Sequence, residues 1–113
     1  MASLMLARKA ENASTLEKSI ATVTGFTCTF AASVNCAVIQ SDVDTKITVK
    51  WSASAPTAEG TNAAPVAGWS YYVGPSYGPV FVMTEDFATS LGIYNAGGVT
   101  AVLKVNAWLA PLN

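Results

Sequence analysis

The residues able to do chemistry are few and scattered. The chain has no histidine. That removes Ser-His-Asp and Cys-His catalysis, histidine-ligated zinc and most imidazole acid–base work together. Cys28 and Cys36 are the only cysteines, and two cysteines alone cannot close a zinc site. They could lie on adjacent strands of a hairpin, where a disulfide is geometrically possible. Without a secretory signal, free buried thiols are the default. No Walker-type or dinucleotide-binding glycine loop is present. Among the seven acidic residues, Asp42 and Asp44 share one loop, and Glu85 and Asp86 are adjacent. Such pairs could hold calcium or serve a glycosidase. Neither lies in an EF-hand or other calcium-loop pattern, and acidic residues in turns before strands are ordinarily solvated caps. No cofactor and no metal is expected, and the chain does not read as an enzyme. Asn12-Ala13-Ser14 matches the glycosylation acceptor pattern, which carries little meaning without secretion.

The aromatic residues are a richer signal. Trp69, Tyr71, Tyr72 and Tyr77 gather around a Gly/Pro-rich turn, while Trp51 and Trp108 lie elsewhere. Trp and Tyr bury large rigid surfaces, so they dominate both sugar-stacking platforms and interface hot spots. They also fill ordinary cores and pair across strands. Trp69 and Tyr71 share one strand face and are expected in the core. Tyr72 and Tyr77 are expected to be exposed.

Strands must position these residues. Phe26, Cys28 and Phe30 alternate with Thr27 and Thr29, and Cys36–Gln40 reads as a returning strand after a loop at Ala31–Asn35. Ile47, Val49 and Trp51 alternate with Thr48 and Lys50, the clearest half-buried strand. Residues 52–67 form a long small-residue loop, of a length that is uncommon unless functional. Trp69–Val73 and Val80–Thr84 read as strands flanking the turn Gly74–Pro79. Glu85–Ser90 reads as a helical turn capped by Thr84, and Gly92–Asn95 as a short strand. Ala96-Gly97-Gly98 is a hairpin turn. Val99–Leu109 is the longest strand, with Val99, Ala101, Leu103, Val105 and Ala107 on one face and Val102 and Trp108 on the other, as if covered on both sides. The expected fold class is all-β, an antiparallel β-sandwich or barrel of about seven strands.

Residues 1–20 differ from the rest. They hold five of the 13 charges, and Leu6, Ala10, Ala13, Glu17 and Ile20 follow helical spacing. Ser14-Thr15-Leu16-Glu17 fits a capping box. The expected organisation is an N-terminal arm over 1–20, partly helical or extended, and a single β domain over 21–113.

Composition points to assembly. Charged residues make up 12% of the chain, about half the usual share. In their place stand 22 Ser and Thr and 19 Ala. A freely diffusing monomer carries more charge to stay soluble, whereas interface cores are depleted in it. A monomeric, hydroxyl-rich β domain is the plainer alternative. With net charge −1 and no Lys/Arg run, nucleic acid is not an expected partner. The uncharged stretches Ser19–Ser41 and Gly60–Thr84 are too rich in Thr, Ser, Pro and Gly to read as membrane-spanning helices. Leu4, Met5 and Leu6 are followed at once by Arg8, Lys9 and Glu11, the reverse of a secretory signal.

In length, Ala/Thr/Ser/Gly richness, scarce charge and an arm before a β domain, the chain resembles the small all-β accessory proteins of tailed-phage virions, such as capsid decoration or cement proteins. The resemblance covers the whole chain by style and carries no motif, so no family residue is transferred. It implies a structural virion protein, assembled in the host cytoplasm, that packs against capsid or tail subunits and copies of itself. The residues expected at such interfaces are Leu4, Leu6 and Arg8 in the arm, and Trp69, Tyr72 and Tyr77 at the aromatic turn. The alternative is a carbohydrate-binding or adhesion module, with Tyr72, Tyr77 and Trp51 stacking on sugar rings.

Overall fold

The computed structural model describes residues 11–52 and 69–110. They form six antiparallel strands: β1 Glu11–Ile20, β2 Thr24–Ser41, β3 Thr45–Ser52, β4 Trp69–Val73, β5 Val80–Asn95 and β6 Ala101–Leu109. All belong to one sheet in the order β1-β6-β2-β5-β3-β4. The fold is all-β, as composition and alternation require. In place of the two sheets of a sandwich or the closed ring of a barrel, the described strands form a single sheet that bends over.

The bend comes from β2 and β5, which are 18 and 16 residues long. They pair twice, Thr24–Thr29 against Ser90–Asn95 and Cys36–Ile39 against Val80–Met83. The register breaks between these two stretches, at Thr29/Val34 and Val34/Cys36. Unequal residue counts on paired strands bend them and raise their twist. One half of this ribbon carries β3 and β4, and the other carries β6 and β1. β1 then comes back beside the first half of β2. Lys18 Nζ lies 5.9 Å from the centre of the Phe26 ring, and Asn12 Nδ2 donates to Ser33 O at 2.8 Å. The inner faces of both halves share one core, including Phe26, Ile39, Ile47, Leu91, Ile93 and Leu103.

Three expectations are corrected. The loop expected at Ala31–Asn35 and the helical turn expected at Glu85–Ser90 are both inside continuous strands. Their small and acidic residues mark the bend in the ribbon, not a chain reversal. The helical reading of residues 11–20 is overturned as well. From Ser14 to Ile20 the chain pairs with β6, whose ladder occupies the backbone groups a helix would need. Leu16 and Ile20 face inward while Thr15, Glu17 and Ser19 are exposed, a period of two. Residues 1–10, including the first half of the expected arm, and the loop at 53–67 lie outside the described residues.

Two buried asparagines tie the ends of strands. Asn95 Oδ1 accepts from Thr45 Oγ1 at 2.7 Å and from Gly97 N at 3.1 Å. Its Nδ2 donates to Val99 O at 2.8 Å and Ile20 O at 3.0 Å. One side chain thus joins β5, β3, the β1–β2 turn and the β5–β6 turn. Asn35 and Ala110 exchange two bonds, Ala110 N to Oδ1 at 2.8 Å and Nδ2 to Ala110 O at 3.1 Å. They hold the end of β6 against the middle of β2. The β1–β2 turn places Val23 at φ 53°, a conformation unfavourable for a β-branched residue.

Candidate interaction surfaces

The first surface is the aromatic turn between β4 and β5. Pro75 and Pro79 punctuate it. Gly78 N and Tyr77 N donate to Gly74 O at 2.7 and 3.1 Å, closing a tight reversal. Gly74 has φ +143°, and a Cβ there would meet the Asp44 backbone at 2.5 Å. Only glycine suits this position. Asp44 Oδ1 in turn accepts from Ser76 N at 2.8 Å. The Ser76 hydrogen bonds hold the Asp44 carboxyl below its ordinary value. The turn is thereby fastened to the β2–β3 loop, and it projects Tyr77 next to Tyr72. The two rings are 5.2 Å apart, tilted by 33°.

Tyr72 is 59% exposed and Tyr77 57%, as expected from the sequence. Trp69 differs. It shares the inward face with Tyr71, opposite Val49 as Tyr71 is opposite Ile47. Tyr71 packs on the core, but Trp69 is 76% exposed. It sits at the start of a five-residue edge strand, beyond the reach of the opposing half among the described residues. Trp51 packs against the core and so leaves the stacking platform. Leu4, Leu6 and Arg8 lie outside the described residues.

The second surface was not anticipated. On the outer face, Met83 and Trp108 flank Cys36, and Phe81 flanks Val38. The Phe81 and Trp108 rings are 6.0 Å apart, tilted by 31°, so they meet diagonally across β2. Met83 is 64% exposed and Phe81 more than half. Phe87, half exposed, follows beyond the bend. The signal was available in Val80-Phe81-Val82-Met83, which is apolar on both faces. A strand with one wet face alternates instead.

Asp42 and Asp44 do not converge on one site. Asp42 Oδ1 accepts from Val102 N at 2.7 Å, whereas Asp44 binds Ser76, so the two carboxylates cap different elements. Among the described residues no three His, Cys, Asp or Glu are grouped as metal ligands. Cys28 and Cys36 are buried and form no disulfide. They lie eight residues apart on one strand, not across a hairpin, about 26 Å of extended chain. Burial raises the Cys36 thiol above its ordinary value. A cavity of about 280 Å³ beside the aromatic turn is lined by Gln40, Ser41, Gly74, Pro75, Gly78 and Pro79. None of these side chains titrates. Compared with protein-family models, curated proteins and solved structures, the chain matches none.

Proposed function

We propose that this protein is a structural subunit that works by packing against other protein subunits, copies of itself included. The observation that carries this reading is the placement of its exposed large apolar side chains. Tyr72 and Tyr77 gather at one turn, and Phe81, Met83 and Phe87 follow along one strand. They do so in a chain with few charges to oppose association. Monomers rarely leave large contiguous apolar patches in water, and aromatic and Met side chains are those enriched at interfaces. Decoration of a virus capsid is the specific form implied by the resemblance in composition and style.

Sedimentation of the purified protein tests the general form. The expected result is a discrete oligomer whose population grows with concentration and persists in high salt, because the surfaces are apolar. A monomer at every concentration, with no affinity for any particle, would overturn it. Binding to phage capsids in co-sedimentation tests the specific form.

A second reading has one observation in its favour. Tyr72 and Tyr77 are neighbouring exposed rings, as a sugar platform needs. Their 33° tilt is less favourable than a coplanar pair. Binding on a glycan array that is lost on Tyr72→Ala would support it, and the absence of binding would end it.

A further inference from the structure

We infer that the outer face around Phe81, Met83 and Trp108 is the seat for residues 1–10 of a second copy of this chain. The inference rests on the packing reading above and names the partner. Three observations meet here.

The seat is apolar and uncovered. Phe81 and Met83 are more than half exposed in the single chain. They stand on the same outer rows as Val38, Cys36 and Trp108. The next row, Glu17, Lys104 and Gln40, is polar, and the Phe81–Val38 row itself turns polar toward β1 at Asn106 and Thr15, so the apolar face is bounded.

The chain enters the described structure beside this seat. Glu11, the first described residue, is in register with Leu109, next to Trp108. Trp108, Cys36 and Met83 form one row across β6, β2 and β5. From β1 to β5 is three inter-strand steps, about 14 Å. Ten residues extend to about 33 Å, more than the length of this row.

The segment carries a matching side-chain set. Residues 1–10 read MASLMLARKA. Leu4, Met5 and Leu6 are an apolar run. Arg8 and Lys9 follow. Met and Leu adapt to aromatic surfaces, and a Met sulfur contacts ring edges favourably. Exchange of an identical segment between subunits is a low-cost route to dimers.

The test places a benzoylphenylalanine photo-crosslinker at position 81 of the full chain, in a mixture of ¹⁴N- and ¹⁵N-labelled protein. The expected result is a cross-link to residues 1–10, in peptide pairs of mixed isotope. Cross-links to residues 1–10 within one label only would overturn the exchange between copies. So would mixed-label cross-links confined to other segments, which leave the packing reading standing. A protein that sediments as a monomer and yields no mixed-label pair would remove both. Leu4→Asp with Leu6→Asp changes no described residue, and it is expected to weaken self-association about 100-fold or more. Phe81→Ser is expected to do the same, with circular dichroism unchanged. Unaltered association in both variants would also overturn the inference.

Discussion

Asn95 illustrates how a single polar side chain can organise an apolar sheet. It is fully buried, yet its bonds reach three separate segments, the end of β1, Thr45 in β3 and the β5–β6 turn. An unsatisfied buried donor or acceptor carries its full desolvation penalty. Asn95→Leu would strand the Ile20 and Val99 carbonyls and the Thr45 hydroxyl. The expected loss is about 3 kcal/mol, read as a lower denaturant midpoint at unchanged slope. A loss below about 0.5 kcal/mol would mean that water or relaxation replaces these bonds. From sequence, Asn95 looked like the last residue of a short strand before Ala96-Gly97-Gly98. Its side-chain partners come from Ile20, Thr45 and Val99, and the most distant is 75 positions away, so local pattern could not reveal them. Trp69 makes the same point in reverse. Its face was legible, but its exposure depends on where the opposing half of the sheet ends.

At the scale of elements, alternation was the reliable signal. Ile47, Val49, Leu103 and Val105 are buried where the period of two places them. Breaks in alternation are ambiguous, because small or acidic residues mark a bend as readily as a turn. The β4–β5 turn has a checkable electrostatic consequence. Asp44 is held below its ordinary value of 3.8 by its Ser76 hydrogen bonds. The folded chain therefore takes up that proton less readily than the unfolded chain. The contribution of the bond is fully present above the unfolded value, near pH 4. It is lost as pH falls through the lower folded value. The Ser76 amide resonance is expected to titrate with a midpoint below 3.8. In Asp44→Asn that transition should vanish. A midpoint at or above 3.8 would show that the turn does not depend on this bond.

For the whole molecule, surface composition and sheet topology have to be taken together. Scarce charge supports the proposed packing without naming a surface. Alternation determined, from sequence alone, an all-β chain and the inward positions of its clearest strands. These properties depend on residue identity and short spacing. Only the tertiary structure decided that β2 and β5 run unbroken through a bend, and that residues 11–20 join the sheet edge. It alone set Phe81 against Trp108 across β2. Such outcomes depend on contacts between residues far apart in the chain. A strand's two faces become inner or outer, covered or bare, only when a distant strand pairs beside it.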